Sequence, residues 1–244
     1  MTIGIVIANK DYGQYISDAI NSIVNQSRDD WRLVIVDYGS TDHSDSIYQM
    51  WTPESRIMVI RQRTKAQLVP LEAKNIGIRE LRADPTVTHF LCFDADDMML
   101  PSFLTELVGT AVEARAAVCW STFQYMDNRT IAYGKRFELD GWFDKIPDEC
   151  LVPEYAVYSR EALDRADAWY YNCEELSIMA AFDRFLRVLQ VYGPDRCRYV
   201  PRVLMLYRQH KGQLSQTSHV QQFGKERRMV KDRYWERVDT VVAE

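Results

Sequence analysis

Short apolar runs alternate with amphipathic segments through residues 1–100, and few folds accept that order. Runs at 3–8, 33–37, 57–60 and 89–93 have the length and composition of strands. Between them, segments at 14–25, 42–50 and 70–82 read as helices; in the first, Ile16, Ala19, Ile20 and Ile23 recur at helical spacing. This β-α-β-α order predicts an α/β fold, a Rossmann-like and mostly parallel central sheet with helices on both faces. Ligands of such sheets bind beyond the carboxyl ends of the strands. The polar residues collect there: Asn9 and Lys10 after the first strand, Asp37 at the second, and Asp94, Asp96 and Asp97 after the fourth.

Three carboxylates within residues 94–97 repel one another unless a cation sits among them. Mn²⁺ or Mg²⁺ accepts such oxygens and keeps positions open for phosphate. The plainer reading is an acidic turn capping a helix that starts near Pro101, because Asp is a favoured N-cap. The triplet alone leaves both readings open. Its convergence with Asn9 and Asp37 favours a site.

Beyond Pro101 the pattern predicts a helix to about 116, a strand at 117–125, and a loop or hairpin over 126–153. A helix capped by Ser159 follows, then a second over 174–189 and a strand at 203–207. The tail from 221 spaces Phe223, Met229, Val230, Tyr234, Trp235 and Val238 among charges, as an amphipathic helix packed on the body or on a partner, such as a second copy in a homodimer. Without repeats or a low-complexity linker, the 244 residues read as one compact unit with two functional halves.

A net charge of -5 argues against general nucleic-acid binding. The apolar runs fall short of a bilayer span, and the opening residues lack a basic secretory n-region. Five scattered cysteines without zinc-ligand spacing suit a reducing compartment. The expectation is a cytoplasmic protein. A membrane-peripheral contact through the basic run 225–231 stands beside the reading of a solvated helix face.

Read together, five ordered pieces resemble the family 2 glycosyltransferases, which have the GT-A fold. They are the opening strand with its polar loop at 5–10, Ser22-Ile23-Val24-Asn25-Gln26 with the block 31–42, Ala73-Lys74-Asn75-Ile76-Gly77, Phe93 to Pro101 with Asp94-Ala95-Asp96, and Arg208-Gln209-His210 near the end. The resemblance implies a metal-dependent, inverting transferase that moves a sugar from a nucleotide diphosphate, a UDP-sugar by preference, to an acceptor hydroxyl. The acceptor would be a glycan, a lipid-linked sugar or a protein. Residues 1–100 would form the nucleotide-sugar-binding half, 101–215 the acceptor-binding half, and 216–244 the C-terminal helix.

By the same resemblance, Ala8, Asn9, Asp37, Lys74, Asn75, Asp94 and Ala95 would meet the donor nucleotide, and Asp94, Asp96 and His210 would hold Mn²⁺ or Mg²⁺. The alternatives are a surface histidine at 210, a strand-end acid at 37, and an exposed helix face at Lys74. Ser40 and Thr41 are expected as helix caps. Asp97 is expected to orient acceptor or sugar, or to cap the next helix. Among the aromatics Trp120, Tyr125, Trp142, Phe143 and Trp169, most are expected as core, with Trp142 the exception that could stack on sugar.

One departure matters. Inverting members carry an acidic pair shortly before a helical arginine, one acid being the general base. Aligning Arg187 with that arginine puts Ala180 and Ala181 at the acidic positions. Asp183, or Glu174 or Glu175 from a turn or two earlier, is then the candidate base, or the base is lost and the domain is a catalytically silent binder or scaffold. Asp183 paired with Arg187 at i+4 is the structural alternative.

Overall fold

The computed structural model describes residues 1–51, 53–62, 69–127, 154–173, 175–176, 179–211, 213, 224–226, 228–230 and 232–234. The elements in chain order are β1 (Thr2–Asn9), α1 (Gly13–Val24), β2 (Trp31–Asp37), α2 (Ser44–Trp51), β3 (Ile57–Arg61), α3 (Pro70–Ala83) and β4 (Val87–Asp94). There follow β5 (Met98–Met99), α4 (Phe103–Glu113), β6 (Val118–Asp127), β7 (Val157–Ser159), α5 (Arg160–Arg165), α6 (Ala180–Tyr192) and β8 (Cys197–Gln209). Among the described residues the strands form one sheet in the order β3-β2-β1-β4-β7-β6-β8-β5. The first four are parallel, β7 runs antiparallel to β4 and to β6, and β8 returns parallel to β6.

Both faces of the sheet are covered, which is why its central strands are apolar on both sides. In β1, Ile3, Ile5 and Ile7 pack toward α1 and α4, while Val6 packs toward α3 and α6. The α/β architecture expected from the alternating pattern is the one observed. Helix α3 comes close to the sheet because residue 77 is glycine: a Cβ there would lie 2.7 Å from Val6 Cγ1 and 3.2 Å from Val36 Cγ2.

Several elements differ from the sequence expectation. Helix α6 begins at Ala180, not at 174. The chain upstream is tied elsewhere: the Tyr171 N–H donates to Asn75 Oδ1 at 2.9 Å, and the Trp169 carbonyl accepts from Arg184 at 2.7 Å. Strand β8 extends well before 203, where Arg198, Pro201 and Arg202 hide the alternation. The two-residue β5 and three-residue β7 are too short to show a period. Ser159 does cap α5, its hydroxyl accepting from the Ala162 N–H at 3.2 Å.

Residues 224–226, 228–230 and 232–234 are helical, and Tyr234 meets α6, its carbonyl accepting from Gln190 and its hydroxyl donating to Asp183. Val230 is fully buried and Tyr234 nearly so, both in the core cluster that contains Phe182 and Phe185. Those two apolar tail residues therefore cover the body; Phe223, Trp235 and Val238 lie outside the described residues. Among the described residues no helix is long and apolar enough to cross a membrane.

Candidate active site

Parallel register brings the strand ends together: Asn9 pairs with Asp37 across β1 and β2, and Ala8 with Asp94 across β1 and β4. Asp37 sits at the mouth of a turn. Its Oδ1 accepts the Gly39 and Ser40 N–H groups at 3.1 and 2.9 Å, and its Oδ2 accepts the Tyr48 hydroxyl at 2.8 Å. Gly39, at φ 107°, supplies the left-handed conformation this turn needs. The buried Asn9 amide donates to the hydroxyls of Ser44 at 3.0 Å and Tyr48 at 2.5 Å, which locks β1 to α2.

Ser40 and Thr41 cap no helix. The Ser40 hydroxyl accepts the Asp11 N–H at 3.0 Å, and the Thr41 N–H donates to Asp11 Oδ1 at 2.6 Å. Asp42 takes the capping role, accepting the Ser44 N–H at 2.9 Å. Asp11, in left-handed geometry at φ 58°, clips the two strand-end loops together.

After β4 the three aspartates separate. Asp94 is the most open, its side chain 40% exposed, and it pairs with Lys74 Nζ at 2.9 Å. Lys74 reaches it from a buried position on α3. Burial disfavours its charge, but Asp94 and Glu154 outweigh that and raise its pKa above the ordinary lysine value. Asp96 Oδ2 lies 3.0 Å from His210 Nε2, so His210 is no surface residue; its side chain is 7% exposed. Asp97 is buried and accepts the Arg208 N–H at 2.9 Å, capping no helix. Burial, and after it the Asp94 charge, pushes the Asp96 carboxyl above its usual range. Burial together with both neighbouring aspartates pushes Asp97 further.

Arg208 holds this loop to the rest of the protein. Its buried guanidinium donates through Nε to the Asp96 carbonyl at 2.7 Å and through Nη2 to Asp18 Oδ2 at 2.9 Å. The far side is buckled by α1. Ser22 Oγ accepts the Met99 N–H at 3.0 Å, while Gln26 donates to the Leu100 carbonyl at 2.8 Å and accepts the Leu104 N–H at 2.9 Å. Tyr12 and Tyr15 flank the His210 ring at centroid distances of 5.6 and 4.5 Å. Burial, then Asp96 and Asp94, raises the Tyr12 hydroxyl, as expected of a phenol facing carboxylates.

Asp96 and His210 supply a carboxylate oxygen and an imidazole nitrogen, donors that a divalent cation accepts. A cation there would offset the Asp94–Asp96 repulsion, which adds to burial in raising Asp96. Among the described residues no group of three or more His, Cys, Asp or Glu side chains is gathered as for a metal ion.

The other candidates fall elsewhere. The Asn75 side chain donates to the Tyr171 carbonyl at 3.0 Å and to Cys173 Sγ at 3.1 Å, so it braces the 171–173 segment and not the aspartate loop. Asp183 is buried in α6, where Arg187 pairs with it at 3.1 Å and the Tyr234 hydroxyl donates to it at 2.8 Å. Glu175 is exposed and pairs with Arg233 and Asn172. None of these partners belongs to the strand-end cluster. Trp120 and Trp169 are core, and Tyr125 packs edge-on against Phe123 and Tyr207. Glu174, Trp142 and Phe143 lie outside the described residues.

The sequence pattern of glycosyl transferase family 2 matches residues 2–166. The chain belongs to this family. An uncharacterized glycosyltransferase of Nostoc sp. (strain PCC 7120) is 36% identical over 110 residues, 44% of this chain and 32% of that protein. Glycosyltransferase GlyG of Streptococcus pneumoniae is 25% identical over 174 residues, 70% of this chain and 52% of that one. The chain thus spans about a third to a half of the length of these curated relatives. Staphylococcus aureus TarS 1-349 in complex with UDP-GlcNAc superposes with a TM-score of 0.75 at 15% identity, covering 94% of this chain and 65% of that one. The mannosyltransferase PcManGT from Pyrobaculum calidifontis, in complex with GDP-Man and Mn²⁺, gives 0.64 at 14% identity, covering 91% and 60%. At these identities the likeness shows the fold, which is GT-A.

Proposed function

We propose that this family 2 domain is an inverting glycosyltransferase that moves a sugar from a nucleotide diphosphate donor, a UDP-sugar by preference, to an acceptor hydroxyl. One observation carries the reading: Asn9, Asp37, Lys74, Asp94, Asp96 and His210 collect at the carboxyl ends of neighbouring strands in a GT-A sheet. The neighbouring structures with UDP-GlcNAc and GDP-Man support a nucleotide-sugar donor.

In this reading Asp37, fixed by its turn, accepts hydrogen bonds from the base or ribose. Asp94, Asp96 and His210 hold Mn²⁺ or Mg²⁺, which would supply Lewis-acid stabilisation of the departing diphosphate. Residues 1–100 bind the donor and 101–215 shape the acceptor side. Asp183 and Glu175 are the candidate bases, each needing release from its arginine partners to reach an acceptor hydroxyl.

A second reading is a silent nucleotide-sugar binder. Ala180 and Ala181 stand where the resemblance expects acids, and Asp183 is sealed beneath the tail by Arg187 and Tyr234. Calorimetric titration of UDP, GDP and their sugar conjugates, with Mn²⁺ and with chelator, tests the donor site. Metal-dependent uptake of one nucleotide is expected; a folded protein that takes none overturns both readings. Hydrolysis or transfer with that donor then separates enzyme from silent binder.

A further inference from the structure

A buried run of charges extends behind the donor carboxylates. Lys74 Nζ donates to Asp94 Oδ1 at 2.9 Å and to Glu154 Oε1 at 3.1 Å. Glu154 Oε1 also accepts the Tyr171 hydroxyl, and that hydroxyl accepts from Arg184 Nη1 at 2.9 Å. Arg184 is 1% exposed and lies 3.7 Å over the Tyr171 ring. Asn75, next to Lys74 on α3, grips the Tyr171 backbone through both ends of its amide. Strand β7 lies antiparallel to β4, and the shared Lys74 ammonium brings Glu154, just before β7, close to Asp94 at the end of β4.

Glu154 is therefore held in place from two sides, and its charge competes with Asp94 for a single ammonium. An ammonium shared by two carboxylates binds each less exclusively than it would bind one. We propose that Glu154 is a positioning residue for donor binding: by drawing on Lys74, it leaves the Asp94 carboxylate available to a cation and a nucleoside diphosphate. The proposal rests on the donor reading above. It assigns Glu154 no contact with substrate; the residue acts through Lys74.

The test is calorimetric titration of UDP at a series of Mn²⁺ concentrations, with urea unfolding measured on each protein. Glu154→Gln keeps the shape and removes the charge, so Lys74 falls wholly to Asp94. The Mn²⁺ concentration for half-maximal UDP binding should rise about tenfold. Glu154→Asp, which keeps the charge, should stay closer to wild type. Tyr171→Phe removes the hydroxyl that holds Glu154 and that accepts from Arg184, and should raise the Mn²⁺ requirement about threefold. Wild-type Mn²⁺ dependence in Glu154→Gln overturns the inference. So does a variant whose UDP binding falls only in step with its loss of folded protein. If wild type takes no UDP at any Mn²⁺ concentration, the donor reading itself is wrong and this inference falls with it.

Discussion

Asp94, Asp96 and Asp97 are neighbours in sequence with three different environments. Asp94 faces outward against Lys74, Asp96 faces His210, and Asp97 is spent on the Arg208 backbone. Side-chain identity did not separate these roles; the direction of each residue in a tight loop did. Asp96→Ala is expected to abolish Mn²⁺-dependent UDP binding while leaving the unfolding midpoint near wild type, as a paired calorimetric and urea measurement would read. Asp37 and Asp94 were legible as candidates because each ends an apolar strand, and Asp96 because it follows Asp94 by two residues. Glu154 and Asp18 were not: their partners lie 80 and 190 residues away, and no local pattern marks them. Asn75 was legible as a polar residue of α3 but not as the brace of a distant segment, for the same reason.

At the scale of elements, the glycine of the Lys-Asn-x-Gly piece has a packing cause. Residue 77 lies one helical turn after Lys74, on the face that meets Val6 and Val36. Those β-branched side chains have few rotamers with which to yield. Gly77→Ala should destabilise the fold by about 2 kcal/mol in urea unfolding. By lifting α3 it should also weaken nucleotide binding, since Lys74 rides on that helix. Helices α1, α3 and α4 were readable from their amphipathic pattern and strands β1, β2 and β4 as apolar runs, while the first half of β8 was not. The short β5 and β7 show no period, and the late start of α6 was hidden because the Met179 N–H just before it is taken by Glu226, 47 residues away.

The whole molecule is closed by its tail. Tyr234 is nearly buried and donates to Asp183. Tyr234→Ala should cost about 3 kcal/mol in urea unfolding, from lost burial and the lost hydrogen bond to Asp183, which keeps its Arg187 partner. A second whole-molecule property is acid sensitivity. Burial, and then Arg28, lowers the His89 pKa from its ordinary 6.5 to about 4. The unfolded imidazole thus takes a proton as pH falls below 6.5, while the folded one stays neutral until about 4. Stability should drop through that window, by up to about 3 kcal/mol, with no further loss from this group below it. In His89→Gln, urea midpoints at pH 7 and pH 4.5 should differ by less than in wild type.

The Arg208 clasp has a consequence in time. Asp96 meets His210 across 114 residues and Asp18 meets Arg208 across 190, so one side of the strand-end loop is fastened by the end of β8 and the residue after it. A chain emerging from the ribosome can pair β1, β2 and β4 early, but the closure entropy of these long loops is met only when β8 arrives. The Asp96–His210 and Arg208 contacts are therefore completed late in synthesis, after the strand ends of β1, β2 and β4 have already met.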